Sequence, residues 1–157
     1  LPARYQGDLL DSRAQRDLVD LVGESTCDLV TSDGGFDVDH TKLESETAAL
    51  AQAATDVAVD CLASGGTLVL KVFECNLPVT IRLLAHICTM FDNVSIIKPS
   101  TSRATNSERY IVACGFHSRN PPPQSMPASW LRSVIQIIEQ LNADQIKTLE
   151  AVTRRCR

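Results

Sequence analysis

Apolar residues along the first 116 positions alternate between short unbroken runs and stripes with helical spacing. The unbroken runs predict four strands, at 27–31, 67–73, 93–97 and 109–116. Residues spaced three or four apart predict helices between them, at 13–22, 43–61 and 79–90. Strands that alternate with helices predict an α/β fold built on a layered sheet.

The stretch 67–73, Thr-Leu-Val-Leu-Lys-Val-Phe, is apolar on both faces except at Lys71. Such a run is typical of a central, parallel strand that is covered on both sides. The pair Gly65-Gly66 stands directly before it, and we expect these glycines to end the preceding helix.

The chain changes character after residue 117. The segment 118–128 holds Pro-Pro-Pro and predicts an extended linker between a main domain, 1–117, and a tail, 129–157. Two amphipathic stripes in the tail predict two helices divided at Asn142, which could cap the second. We expect these helices to pack on a neighbour rather than to carry chemistry.

Composition limits the classes of function. The chain has 157 residues and 15 basic against 19 acidic side chains, a net charge of −4. This charge argues against a uniformly basic nucleic-acid-binding surface, but it leaves room for a local basic groove. No apolar run reaches the length of a membrane span, and the first residues of the sequence do not have the pattern of a signal peptide. The six cysteines are not clustered with histidines, so we expect buried free thiols, a reducing intracellular compartment and no metal.

Three polar residues interrupt or follow the apolar strands. Asp33 precedes two glycines, Lys71 lies inside a strand, and Glu108 stands just ahead of the last strand. Because ligands bind at the carboxyl ends of strands in open α/β sheets, the three side chains could form a charged cluster there. The alternative is an edge lysine that reaches water, beside an ordinary Asp-Gly-Gly turn. The apolar neighbours on both sides of Lys71 favour the cluster.

Three segments carry a resemblance to a known family. They are Asp-Leu-Val-Thr-Ser-Asp-Gly-Gly-Phe (28–36), Gly-Gly-Thr-Leu-Val-Leu-Lys-Val-Phe (65–73) and Lys-Pro-Ser-Thr-Ser-Arg-Ala-Thr-Asn-Ser-Glu-Arg-Tyr-Ile-Val (98–112). In order and spacing they resemble the FtsJ-like RNA ribose 2′-O-methyltransferases, from about residue 5 to 117. The Asp-Gly-Gly-Phe segment resembles the cap-specific mRNA branch, whereas the ribosomal-RNA branch tends to Asp-Met-Ala-Pro.

The resemblance implies a Rossmann-like methyltransferase sheet with helices on both faces, and transfer of a methyl group from S-adenosylmethionine to a ribose 2′-hydroxyl near an mRNA cap. By position, Asp33, Lys71 and Glu108 resemble three members of the family's catalytic Lys-Asp-Lys-Glu tetrad. Asp8 and Leu9 resemble the segment that contacts the adenine of the donor, and Asp33 and Gly34 are expected beside it.

The resemblance also implies an RNA-binding loop. Ser100, Ser102, Arg103 and Asn106 are the residues expected to hold RNA phosphate, since serine and arginine side chains suit phosphate oxygens.

The chain departs from the family pattern in what it lacks. A glycine-rich donor loop, the first lysine of the tetrad and the first strands of the sheet are not found. We therefore expect the carboxyl-terminal part of a longer enzyme that acts on capped RNA, with the remainder in the same polypeptide or in a partner subunit. We favour a large cytoplasmic capping polypeptide, for which a virus is one source, over a nuclear enzyme. The alternative is a non-catalytic module of an RNA-processing or replicase assembly.

Overall fold

A computed structural model describes residues 8–35, 42–119 and 127–155 of the chain. Four helices and four strands follow in the order α1 (Ser12–Val22), β1 (Cys27–Ser32), α2 (Leu43–Cys61), β2 (Leu62–Phe73), α3 (Pro78–Met90), β3 (Phe91–Ile97), β4 (Glu108–Phe116) and α4 (Ala128–Arg155). The predicted α/β architecture and all four predicted strands are confirmed, and their ends differ by a few residues. Gly7 and residues 120–126 of the predicted linker lie outside the described residues.

The strands form one sheet in the order β1-β2-β4-β3. Strand β2 is central, as expected, and pairs in parallel with β1 through partners such as Val30 and Leu68. Its other neighbour, β4, runs antiparallel to both β2 and β3. The expectation of a parallel environment for β2 is therefore wrong on one side. Only the residues 98–107 join β3 to β4, and so short a connection returns the chain antiparallel, whereas parallel strands need a longer crossover.

One face of the sheet forms the core. Leu68, Leu70 and Val72 of β2 and Ile111 and Ala113 of β4 are at most 4% exposed. They belong to one cluster with apolar side chains of three helices: Ala51, Ala54 and Ala58 of α2, Leu83, Leu84 and Ile87 of α3, and Val134 and Ile138 of α4. Each fully buried leucine, isoleucine or valine side chain of this cluster contributes roughly 1.5–3 kcal/mol. Helix α1 joins at the edge, where Val19 packs with Val57 and Val30.

The opposite face of the sheet is open in the described part of the chain. The register places Leu29 beside Thr67, Val69 beside Val112, and Lys71 beside Tyr110 on this face. Leu29 is 57% exposed, and the side chains of β2 on this side are half-buried. The resemblance implies helices on both faces of the sheet. In the described residues, however, the helices pack on the buried face.

The pair Gly65-Gly66 does not end α2, contrary to our expectation. Helix α2 ends at Cys61, and β2 starts at Leu62 and runs through both glycines. The backbone requires glycine here, because Gly65 has φ +82° and a Cβ on Gly66 would lie 2.8 Å from the Ala63 carbonyl oxygen. The glycines therefore allow an irregular start of the strand, where the pairing with β1 shifts register.

The tail forms one helix, not the two that the stripes predict. Helix α4 continues through Asn142, whose side chain contacts Arg109 and Asn76 instead of capping a helix. The turn is also bridged by a side-chain hydrogen bond from Gln140 to Asp144, at 3.0 Å. No helix within the described residues is long and apolar enough to cross a membrane.

The cysteines differ from one another in exposure. Cys61 and Cys75 are buried, as expected, but Cys114 is exposed on the open face of the sheet. Burial raises the pKa of the Cys75 thiol to about 12.

Candidate active site

Lys71 lies near the carboxyl end of β2, with its side chain on the open face and only 13% exposed. Its Nζ is 3.0 Å from Oδ1 of Asp33 and donates a hydrogen bond of 2.8 Å to the Asp33 carbonyl oxygen. Asp33 directly follows β1, the parallel neighbour of β2, so the ends of two adjacent strands bring the pair together. A buried ammonium needs such a partner, because its desolvation is costly.

Tyr110 connects this ion pair to Glu108. Its phenol hydroxyl lies 3.1 Å from Oδ1 of Asp33 and 3.3 Å from Oε1 of Glu108, so one hydroxyl hydrogen is shared by two carboxylates. Tyr110 is also the direct cross-strand neighbour of Lys71. Antiparallel pairing of β2 with β4 thus places Asp33, Lys71 and Glu108, the three residues predicted to form a cluster, around one phenol.

The electrostatics of the cluster follow from these contacts. The hydrogen bond from Lys71 is the main reason why the pKa of Asp33 is lowered, although the carboxylate is 73% exposed. Burial, followed by the hydrogen bond to Asp33, raises the pKa of Tyr110 to about 12. Tyr110 therefore remains a neutral hydrogen-bond donor between two acceptors at physiological pH.

The connection between β3 and β4, residues 98–107, is held from inside by Lys98. Its Nζ donates to the carbonyl oxygens of Asn106 and Glu108, at 2.8 and 2.9 Å, and also to the Asn106 side chain. Burial lowers the pKa of Lys98. Ser102 in turn donates a 2.9 Å hydrogen bond to Oε1 of Glu108. The loop is thus tied directly to a carboxylate of the cluster.

The four residues expected to bind RNA have two kinds of environment. Ser100 and Arg103 are exposed on the loop, and their side chains are accessible to a ligand. Ser102 and Asn106 are half-buried and already take part in the hydrogen bonds of Lys98 and Glu108. Their positions therefore fit a role in shaping the loop as well as a contact with a ligand.

The residues expected to hold the methyl donor lie in the turn before α1 and after β1. Asp8 is exposed, and its carboxylate accepts a 2.9 Å hydrogen bond from the Leu10 amide, as in a local turn. Leu9 is half-buried at the edge of the core. Gly34 and Gly35 are exposed beside the cluster, where a Cβ on Gly35 would lie 3.5 Å from Nζ of Lys71. The backbone after Asp33 therefore passes close to the lysine.

Three residues of this region are absent from the sequence prediction: Lys98, Tyr110 and Arg109. Arg109 is 1% exposed, and its guanidinium donates to the Glu74 carbonyl oxygen and to Asn142. The sequence did carry a signal for Lys98 and Arg109, because Lys98 directly follows the apolar strand β3 and Arg109 stands near the start of β4. A charged side chain next to an apolar strand needs polar partners. Tyr110 stands in the segment 98–112 that carries the resemblance, but its place beside Lys71 follows from the antiparallel register.

The fold and the cluster define an α/β domain with a charged site where β1 and β2 end and β4 begins. Residues 3–116 match the family described as FtsJ-like methyltransferase. The chain belongs to this family, as the resemblance in the sequence implies.

Relatives act in two contexts according to their names. A cap-specific mRNA (nucleoside-2′-O-)-methyltransferase 1 of Trypanosoma brucei is 34% identical over 70% of this chain and 30% of its own length. A ribosomal RNA large subunit methyltransferase E of Rhodopseudomonas palustris is 35% identical over 76% and 50%. A cap-specific mRNA (nucleoside-2′-O-)-methyltransferase of Autographa californica nuclear polyhedrosis virus is 35% identical over 68% and 41%. The chain thus spans half or less of each of these relatives.

Solved structures support the fold. A chain described as alphavirus P23pro-zbd aligns with a TM-score of 0.59 and 22% identity, over 74% of this chain and 18% of that one. A ribosomal RNA methyltransferase of Plasmodium falciparum aligns with a TM-score of 0.53 and 21% identity, over 66% and 54%.

Proposed function

We propose that this chain is part of an enzyme that transfers a methyl group from S-adenosylmethionine to a ribose 2′-hydroxyl of RNA, near an mRNA cap. The observation that carries the proposal is the cluster of Asp33, Lys71 and Glu108 around Tyr110 in a chain of the FtsJ-like family. Family membership supplies the reaction class, and the cluster supplies the groups that such a reaction needs.

Lys71 is the residue to which we assign the reacting hydroxyl. A ribose hydroxyl loses its proton as its oxygen attacks a methyl group, so a nitrogen base close to it assists the step. Lys71 is the donor in both of its contacts with Asp33, and it has to give up one proton before it can accept another. The Lys71 side chain is only 13% exposed, so a bound hydroxyl can approach its Nζ from few directions. Positioning of this kind accounts for a large part of many enzymatic rates.

Asp33 and Glu108 hold the other two members of the cluster in place. Asp33 fixes the direction of the Lys71 ammonium, and Tyr110 fixes the separation of the two carboxylates. The hydrogen bond from Ser102 to Glu108 connects the loop between β3 and β4 to the cluster. A ligand bound to the loop would thus be connected to Lys71 through one hydrogen-bond network.

The residues present fit one part of a donor site. Gly34 and Gly35 leave the backbone accessible beside Lys71, and the carboxylate of Asp33 can accept hydrogen bonds. We assign Asp8, Leu9, Asp33 and Gly34 to this side of the donor. The donor supplies an electrophilic methyl group when it is bound. Its remaining contacts are assigned to a glycine-rich segment outside this chain.

The preference for capped over ribosomal RNA is the finer part of the proposal. The names of the Trypanosoma and baculovirus relatives and the Asp-Gly-Gly segment support a capped substrate. We assign Ser100, Ser102, Arg103 and Asn106 to the phosphates of that RNA, with Ser100 and Arg103 as the accessible pair.

The open face of the sheet supports a need for further polypeptide. Leu29 is 57% exposed, and the β1 edge carries no partner strand on its outer side in the described residues. The chain also spans half or less of three relatives. We propose that the remainder of a longer polypeptide, or a partner subunit, covers this face and completes the donor site.

The test compares Lys71→Met with the wild type in the full-length protein that contains this chain. We expect a loss of methyl transfer to capped RNA of at least about a thousandfold, since the variant lacks the only nitrogen assigned to the reacting hydroxyl. Labelled S-adenosylmethionine and RNA with or without a cap give the readout. Lys147→Met, the same change at a lysine of α4 whose side chain is 74% exposed, serves as the folded control for these assays.

The outcomes separate the proposals. Retained transfer by Lys71→Met would falsify the role of this residue. Equal transfer to uncapped RNA would contradict the cap preference alone. Calorimetric titration of this chain and of the full-length protein with S-adenosylmethionine adds a second test. If only the full-length protein binds S-adenosylmethionine, the result supports a donor site shared with the remainder of the polypeptide. If neither protein binds it, the result favours a non-catalytic module.

A further inference from the structure

The turn that follows β2 has an unusual backbone. Glu74 and Cys75 both have positive φ, at 55° and 64°, and neither is glycine. This conformation is unfavourable for a residue with a side chain, so it persists only where the surroundings hold it. Glu74 is three residues beyond Lys71, which makes this turn the support for the end of the strand that carries the lysine.

The backbone of Glu74 is held on both sides. Its amide donates a 3.1 Å hydrogen bond to the carbonyl oxygen of Ser107, next to Glu108. Its carbonyl oxygen accepts from the guanidinium of Arg109, on the other side of Glu108. The turn after Lys71 and the start of β4 are thus joined by two hydrogen bonds that flank a carboxylate of the cluster.

Helix α4 supplies the second partner of Arg109. The side-chain oxygen of Asn142 accepts from the guanidinium, and its nitrogen donates to Asn76, also in the turn, at 3.0 Å. One helical turn later, Gln145 donates to the carbonyl oxygen of Thr105 in the loop between β3 and β4, at 3.3 Å. Asn142 and Gln145 therefore reach both segments next to the cluster.

Packing alone does not fix α4 against this loop. A cavity of about 290 Å³ remains between them, lined among others by Lys98, Ala104, Leu141 and Asp144. Beside this cavity, the hydrogen bonds of Asn142 and Gln145 connect the helix to the turn after β2 and to the loop. A buried guanidinium without its acceptor would also carry the full cost of desolvation.

We propose that Asn142 of α4 is a positioning residue for methyl transfer: through Arg109 it holds the strained Glu74–Cys75 turn, and with it Lys71 and Glu108, in one arrangement. The inference rests on the proposed function for the reaction and on the hydrogen bonds for the mechanism. The carboxyl-terminal helix is then a component of the catalytic framework.

The test uses three variants of the full-length protein. Asn142→Leu removes both contacts, and Asn142→Asp keeps an acceptor for the guanidinium. Gln136→Leu, an exposed amide on the same helix, is the matched control.

For Asn142→Leu we expect amide exchange of Glu74, followed by NMR, to accelerate about tenfold or more. We expect kcat to fall about tenfold or more while KM for RNA changes less than about twofold. Asn142→Asp and Gln136→Leu stay close to the wild type.

Two results overturn the inference. Unchanged exchange of Glu74 in Asn142→Leu shows that the helix does not hold the turn. Faster exchange with unchanged kcat, measured well below the unfolding temperature, limits Asn142 to a structural role. A wild type without methyl transfer contradicts the proposed function instead, and the exchange measurement still decides whether Asn142 holds the turn.

Discussion

The two faces of the same sheet have different tasks. On one face, Leu68, Leu70 and Ile111 are at most 1% exposed and pack against the helices. On the other, Lys71 and Tyr110 take part in a polar network, and their apolar neighbours stay half-exposed. Residues adjacent in the sequence thus belong to the apolar core or to the polar network according to which side of the strand they occupy. The following predictions test this division, from the largest expected effect to the smallest.

Thiol reactivity gives the largest contrast. Cys114 is exposed on the open face, whereas Cys75 is 1% exposed in the core. Burial raises the pKa of Cys75 from 9.0 to about 12. At neutral pH its thiolate is therefore about a thousandfold rarer than the thiolate of a cysteine without this shift. We expect iodoacetamide to modify Cys114 at least a thousandfold faster, as measured by peptide mapping of the native chain. Comparable rates would mean that the buried face opens readily.

Truncation of neighbouring side chains of β2 separates the faces energetically. Leu70 is 1% exposed, and we expect Leu70→Ala to lower the free energy of unfolding by about 2–5 kcal/mol. Val69 is half-buried on the open face, and Val69→Ala should cost about 1 kcal/mol. Urea unfolding of both variants gives the comparison. Equal losses would show that the open face contributes to the core of the chain.

Titration of Tyr110 measures the network of the open face. The chain has two tyrosines, so a Tyr5→Phe variant leaves Tyr110 as the single titrating phenol. We expect its absorbance to change with a midpoint of about 12 instead of 10. Because the folded protein favours the neutral phenol, this contribution to stability is complete below pH 10 and is lost as the pH rises through about 12. A midpoint near 10, with circular dichroism still native, would place Tyr110 outside the network.

Substitution of Leu29, an exposed apolar residue of the open face, should have the smallest effect. Leu29 is 57% exposed, and in this chain alone Leu29→Thr should change the free energy of unfolding by less than about 0.5 kcal/mol. In the full-length protein we expect a larger loss, because there the proposed remainder covers this face. Thermal unfolding of the two forms checks both statements, and an equal, small effect in each argues against a covered face.

Sequence reasoning succeeded where local pattern was decisive. The apolar runs located every strand of the described residues, and the motif around Asp33, Lys71 and Glu108 led to the family. It failed where local signals compete with tertiary contacts. Gly65 and Gly66 are ordinary helix breakers, yet both lie within a strand, where Gly65 has a positive φ and Gly66 approaches the Ala63 carbonyl oxygen closely. Asn142 is an ordinary cap, yet Arg109 provides it with another partner.

The sequence by itself determined the α/β class, the central position of β2 and the family, because periodicity and motif spacing are properties of the chain. Only the tertiary structure decided that β4 runs antiparallel, that Tyr110 lies between Asp33 and Glu108, and that α4 contacts the turn after Lys71. These features depend on contacts between residues up to 77 positions apart. Register and long-range hydrogen bonds are fixed by packing of the whole sheet, which local pattern does not specify.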